Sequence, residues 1–296
     1  MTANPVSQTV VTPGTTATFA AAATGSPAPT VQWQVSTTGT AGPFASIVDN
    51  ATATTGTLTL TNVTPEQNGY AYRAVFTNTA GSGTTTVATL TVYSPPVLTL
   101  PANITVAATS KNGAAVTYGG TAHDTVDGAL TPVCAPPSGS TFPIGTTTVT
   151  VSASNSGGLA STGSFTVTVQ RTFAAFQDQY GLTSADPTAD TYGTGVCQLE
   201  SYAFGLNPAA TDRSQLPAGT VQQGCLHISY PKWTDAGDLR YVVEVSGDLQ
   251  NWDSGAGHTR QVSVTVIDAT REWVTERDII PTSDALRRFI RVRITR

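Results

Sequence analysis

Residues with chemical potential crowd two stretches of this 296-residue chain. The first is 136–151, "PPSGSTFPIGTTTVTV", in which Ser138 and Ser140 follow Cys134 and lie downstream of His123 and Asp124 in "TAHDTVDG". A serine nucleophile needs a base within hydrogen-bond reach and donors for an oxyanion. His123 and Asp124 are sequence neighbours, so on a strand they face opposite ways and do not serve together as base and orienter. The stretch reads instead as a corner: Phe142 and Ile144 plug a β-sandwich, Pro143 and Gly145 set the turn, and the hydroxyls bond local backbone. The second stretch is "YPKWTDAGD", a predicted hairpin tip carrying Tyr230 and Trp233. Two readings stand there. An exposed tryptophan stacks on a sugar ring, so Trp233 and Tyr230 would bind carbohydrate; otherwise Trp233 packs across the hairpin against the sandwich edge.

Other chemistries lack their residues. His123, His227 and His258 are scattered without zinc spacing. No glycine-rich phosphate loop is present. The acidic residues fall in predicted turns or on outward strand faces, a poor start for a glycosidase carboxylate pair. Lys111 and Lys232, the only lysines, read as turn residues and not as buried partners for an isopeptide bond.

These residues must be positioned by a thin, uncharged scaffold. Charged residues make up 11 % of the chain, against about 25 % in an average domain. The net charge of −5 gives no reason to expect a nucleic acid or an anionic membrane as partner. No apolar run approaches the roughly 18 residues of a membrane helix. No signal peptide is visible in "MTANPVSQTVV", and the Thr/Ser-rich composition favours a fragment of an exported protein, secreted or on a cell surface. Residues 1–170 hold two basic side chains (Arg73, Lys111) and four acidic ones (Asp49, Glu66, Asp124, Asp127), whereas 171–296 hold the other 12 and 15. A composition break therefore falls near 170.

Residues 1–93 form the first predicted module. Alternation places Ala17, Phe19 and Ala21, then Val31 and Trp33, Leu58 and Leu60, Tyr72, Ala74 and Phe76, and Ala88, Leu90 and Val92 on inward faces, with turn signals between. The order resembles a bacterial immunoglobulin-like domain, with Trp33 as its buried tryptophan and Tyr72 in its tyrosine-corner segment. Where that family often carries a disulfide, Ala21 and Ala74 stand here. Residues 94–170 are the second module. "SGSTFPIGTTTV", with "AAVTYGGTAHDTVDG" and "SFTVTV" around it, resembles the hyalin repeat (HYR), an immunoglobulin-like extracellular module. The resemblance implies that Cys134 would face a cysteine where this chain has Val151, which leaves Cys134 a lone thiol.

Residues 171–296 begin with helix. Phe173, Phe176 and Tyr180 form one stripe, and Leu199, Tyr202 and Ala203 another, before Gly205 and Pro208 end the second helix. Strands follow, the last with Ile290, Val292 and Ile294 inward and Arg291 and Arg293 outward. "LESYAFGLNP", "YVVEVSGDLQNW" and "FIRVRI" resemble a C-terminal module of large exported bacterial proteins, in which Trp252 would be core. That family often has a calcium-type Asp-rich loop before the helix. This chain keeps Asp186, Asp190 and Glu200, a degenerate set for an ion that takes about six to eight oxygens; Asp186 capping a turn and Glu200 on an exposed helix face is the preferred reading. Cys197 and Cys225 share this module and are expected to bridge, clamping the helical segment to the sandwich.

The fold class that results is mostly β: tandem immunoglobulin-like β-sandwiches, a short helical segment and a small C-terminal β-sandwich. The function it implies is a non-enzymatic extracellular structural or adhesive region that presents or anchors a binding surface, without cofactor. Its partners would be other surface proteins, copies of itself or polysaccharide. The competing reading is a carbohydrate-binding accessory region of a secreted polysaccharide-degrading enzyme.

Overall fold

The computed structural model describes residues 1–210 and 212–296. The chain divides into two compact units. Met1–Pro101, Gly119–Pro137 and Thr150–Ser164 form the first; Ala102–Tyr118, Ser138–Val149 and Phe165–Arg296 form the second. The segment 94–170 contributes to both.

In the first unit, period-two alternation becomes two sheets around one core. Strands Gln8–Val10, Ala88–Val92, Ala71–Asn78, Thr30–Ser36 and Ala45–Ser46 lie in that order, with Gly81–Thr84 also pairing on Ala71–Asn78. Ala17–Ala20 pairs with Thr57–Leu60 in the second sheet. The first strand runs parallel to the last, Gln8 beside Leu90. Phe19, Trp33, Leu58 and Leu90 are fully buried, and the Phe19 and Tyr72 rings stack at 4.7 Å. Trp33 also donates its indole N–H to the Thr55 carbonyl at 2.9 Å, so the ring is anchored as well as packed. Ala21 and Ala74 are both buried in this cluster.

The same unit contains a sheet of Gly128–Leu130, Thr121–Asp124 and Val97–Thr99. The buried Asp124 carboxylate accepts the Val126 and Asp127 amides and the Asn155 side-chain amide, which also donates to the Ser94 carbonyl. Tyr93 hydroxyl and Ser156 hydroxyl bond at 2.7 Å, and Asp127 accepts from the Ser156 amide and hydroxyl. The connection 93–94 is therefore tied to loop 155–156 by side chains rather than left as free linker. Val133–Ala135 pairs antiparallel with the strand Gly145–Ser154, Cys134 opposite Val151.

In the second unit, Ile104–Ala107 runs parallel to the end of Ala160–Gln170, and Ala114–Ala115 pairs with Thr141–Phe142. Phe142 is 1 % exposed and meets the Tyr118 ring edge-on, the plug expected of it. Helix α1 (Phe173–Tyr180) is capped by the Thr172 hydroxyl, which accepts the Ala175 amide, and ends at Gly181 with φ 64°. Helix α2 (Gln198–Ala203) starts at Cys197. Their apolar stripes meet: Phe173, Phe176, Leu182 and Tyr202 form one buried cluster. Asp238 joins both helices to the sandwich, accepting the Phe173 amide at 2.8 Å and the Tyr202 hydroxyl at 2.6 Å.

The C-terminal sandwich packs one sheet, ordered Ala218–Gln222, Cys225–Trp233, Arg271–Asp278 and Thr259–Val266, on a second, ordered Asp253–Ser254, Arg240–Ser246 and Phe289–Thr295. Ile228, Tyr230, Val243 and Val274 form its centre, with Ile290, Val292 and Ile294 packed on them, while Arg291 and Arg293 are exposed. Strand Cys225–Trp233 runs through Lys232 and Trp233, which pair with Glu272 and Arg271; the turn lies beyond them and not at "YPKW".

Candidate functional site

Ser138 is committed to the corner. Its hydroxyl accepts the Tyr118 amide at 2.8 Å and donates to the Tyr118 carbonyl at 2.7 Å. His123 is exposed while Asp124 is buried, on opposite faces of their strand as alternation requires.

In the acidic loop each of the three carboxylates is bonded to nearby backbone amides. Asp186 accepts the Thr188 amide and hydroxyl, Asp190 accepts the Thr194 and Gly195 amides, and Glu200 accepts the Cys197 amide in a capping box. These bonds hold the Asp186 and Asp190 carboxyls below their ordinary range, led by the Thr188 hydroxyl and the Gly195 amide respectively. Each carboxylate is spent on its own turn. Among the described residues no group of three or more His, Cys, Asp or Glu is placed to hold a metal ion.

The expected Cys197–Cys225 bridge is absent: all three cysteines are free thiols. Cys225 is buried at a strand start, with the Arg277 guanidinium donating to its Sγ at 3.3 Å, whereas Cys197 is half-buried at the start of α2. The helical segment is clamped by hydrogen bonds instead.

Those bonds occupy the aromatic pair proposed for sugar. Trp233 donates its indole N–H to the Tyr202 carbonyl at 2.6 Å, and the Arg171 guanidinium lies 4.0 Å over its ring. Tyr230 is 2 % exposed, stacks with Tyr241 and donates its hydroxyl to Glu276. Burial, followed by the Glu276 charge, pushes the Tyr230 hydroxyl pKa far above its ordinary value. Tyr230 fills the centre of the sandwich, and Trp233, half-buried, is bonded to the end of α2 with Arg171 and Arg271 at its ring.

A different aromatic is available. Trp252 is half-buried and lines an open groove of about 460 Å³ with Gly219, Val221, Leu226, Leu249 and Phe289. The loop before it is tied by its own hydrogen bonds. Asp248 accepts the Gln250 and Asn251 amides and the Asn251 side chain, and the Ser246 hydroxyl accepts the Asp248 and Leu249 amides. The Asn251 and Gln250 amides hold the Asp248 carboxyl well below its usual range. This frame keeps Leu249 at φ 65°, a conformation costly for a branched side chain, and leaves it 56 % exposed. The Trp252 indole donates to the Leu249 carbonyl at 3.2 Å, and the Arg291 guanidinium stacks 3.8 Å over one face of the ring. Glu244, nearly buried, accepts Arg291 at 2.9 Å and Arg293 at 2.7 Å. Trp252 thus lies at the groove and not in the core that the resemblance implies. The signal against that was the polar "SGDLQN" loop leading into it and the run of arginines at 287–296.

The sheets of residues 1–169 are those of immunoglobulin-like domains, a class that typically builds extracellular and cell-surface proteins and is typically non-catalytic. More particularly, residues 1–92 match the immunoglobulin I-set domain and residues 93–169 the HYR domain, so the chain is an I-set domain followed by a HYR domain, with the helices and last sandwich beyond both. A stretch of 106 residues is 46 % identical to Endoglucanase C of Cellulomonas fimi, covering 35 % of this chain and 9 % of that protein. The match thus spans less than a tenth of that relative's length. Among solved structures, the titin I-band fragment I67-I69 aligns at 12 % identity over 98 % of this chain and 91 % of its own, with a TM-score of 0.40. The N-terminal four Ig domains of Dscam1 isoform 7.44 align at 16 % identity over 57 % and 44 %, with a TM-score of 0.41. No helix among the described residues is long and apolar enough to cross a membrane.

Proposed function

We propose that this chain is a non-enzymatic structural or adhesive region of a larger exported bacterial protein, secreted or held at a cell surface, that presents a binding surface to surface proteins, copies of itself or polysaccharide. The observation that carries the reading is the I-set domain joined directly to a HYR domain. The tie of Tyr93 and Ser94 to loop 155–156 supports it, since a spacer that presents a surface works best when its joints are held. The hydroxyl of Ser138, bonded twice to backbone, is no nucleophile. The test is incubation of the whole chain with a fluorophosphonate probe and with soluble cellulose and xylan. No labelled serine and no release of reducing sugar are expected; either one would overturn the reading.

A second reading, a carbohydrate-binding accessory region of a secreted polysaccharide-degrading enzyme, is favoured by the 46 % identity to part of Endoglucanase C. Saturable binding to neutral β-glucan by the whole chain would select it.

A further inference from the structure

We propose that the outer face of the C-terminal sheet around Trp252 is a binding site for an acidic polysaccharide. The proposal rests on the reading above, that this chain presents a binding surface, and names the ligand class and the place.

The chain carries a net charge of −5, yet five arginines (Arg287, Arg288, Arg291, Arg293 and Arg296) fall in its last ten residues with no acidic side chain among them. Strand pairing sorts them by face. Glu244 lies opposite Arg291, Val242 opposite Arg293 and Arg240 opposite Thr295, so Arg240, Arg291 and Arg293 share one face of the sheet. Two of the acidic groups nearby are paired with arginine. Glu244 is divided between Arg291 and Arg293, Asp278 is paired with Arg288, and Asp248 is turned into its own loop amides. Asp253, exposed 3.9 Å from His258, lies at the edge of this loop and is in no arginine or lysine ion pair among the described residues. Arg240 and Arg287 are exposed and in no ion pair among the described residues. The outer face therefore carries three arginines against the single carboxylate of Glu244, and Arg240, exposed and in no ion pair among the described residues, keeps its guanidinium fork free to take a carboxylate in bidentate fashion.

Charge is half of the argument; the groove beside it is the other half. Trp252 carries Arg291 on one face of its ring and lines the groove with Leu249 and Val221, both more than half exposed. The groove's far wall is the exposed edge strand Ala218–Gln222, which offers the Thr220 hydroxyl. A sugar polymer has apolar C–H faces that pack on an indole and on aliphatic walls, and a uronate-type sugar adds one carboxylate per ring for the arginine row. A neutral glycan would leave the arginines unused. Leu249 is held at φ 65° by its amide bond to the Ser246 hydroxyl, which presents its side chain along the groove wall.

The experiment is affinity electrophoresis of the intact chain through gels containing polygalacturonate, hydroxyethylcellulose or single-stranded poly(dT), repeated with W252A and with R240Q/R293Q. The double variant removes the unpaired Arg240 and one of the two partners of Glu244, leaving Arg291 on Glu244 and Arg288 on Asp278, and a circular-dichroism melt of each variant shows that the sheet is kept before its binding is compared. Retardation by polygalacturonate, weakened about tenfold in each variant, is expected. No retardation by polygalacturonate, or retardation equal in wild type and both variants, overturns the proposal. Retardation by poly(dT) that polygalacturonate does not displace overturns the ligand class, as does retardation by hydroxyethylcellulose alone. None of these outcomes touches the non-enzymatic reading, which the probe and sugar-release assays test separately.

Discussion

At the scale of single residues, this fold is held by a few side chains that both fill space and make a bond. Trp33 is the clearest case. It is fully buried, and its indole N–H bonds the Thr55 carbonyl across the sandwich. Trp33→Ala removes the largest core ring and orphans that carbonyl, and should destabilise the first domain by about 3–5 kcal/mol. Denaturant unfolding of wild type and variant checks this; coincident curves would show that the ring is not the core residue it is taken to be. Glu244 is a second such residue, and its effect is pH-dependent. Burial would raise its carboxyl pKa, but the hydrogen bonds and charges of Arg293 and Arg291 outweigh burial and lower it. A depressed folded-state pKa means stability that is present above the ordinary glutamate range, about 4.3, and lost as pH falls through the lower folded value. The melting temperature should therefore fall on acidification below about pH 4, and Glu244→Gln should flatten part of that fall. A variant whose acid limb matches wild type would show that the arginine pair contributes nothing through Glu244.

At the scale of elements, register decides what the residues can reach. Cys134 and Val151 are cross-strand partners, the place where a bridge stands in the family this module resembles. Val151→Cys should oxidise with Cys134 and stabilise by about 3 kcal/mol for a loop of that size. Thiol titration in denaturant reads the outcome directly: two free thiols if the bridge forms, four if it does not. Register also shows where Trp233 and Tyr230 lie. The strand carrying them continues to Trp233 in pairing with Arg271–Asp278, so Tyr230 points into the sandwich and Trp233 lies under α2. A hairpin tip would have exposed both; the continued strand buries Tyr230 and leaves Trp233 half-buried against α2. The helices, in turn, are held by Asp238, Trp233 and Tyr241 through hydrogen bonds to backbone and hydroxyl groups, which does the work expected of the Cys197–Cys225 bridge.

At the scale of the whole molecule, the core of the I-set domain is closed within itself, every buried member lying between Val10 and Val92. Residues 1–93 should consequently fold alone and melt cooperatively. A fragment with a dispersed amide spectrum and a sigmoidal unfolding curve supports this, and one with a collapsed spectrum would show that the following residues are needed. The charge asymmetry noticed in the sequence also has its place at this scale. Polar, nearly uncharged modules form the first part, and the ionic side chains gather in the last sandwich, where they make Arg–carboxylate pairs and leave an arginine-rich face.

Local pattern determined much of this. Alternation was enough to orient Phe19, Trp33, Tyr72 and Leu90 inward and Arg291 and Arg293 outward, because the period of a strand is two and the choice of face follows from which set is apolar. The motif around Phe142 sufficed to read Ser138 as structural, since its turn chemistry is complete within a short stretch. Tertiary structure alone decided the sites. Whether Trp233 or Trp252 is open depends on which backbone carbonyls and arginines arrive from distant segments, and neither spacing nor composition carries that information. The same holds for Asp186, Asp190 and Glu200: three carboxylates become a cation site only if their loops converge, and here each carboxylate meets nearby backbone amides first.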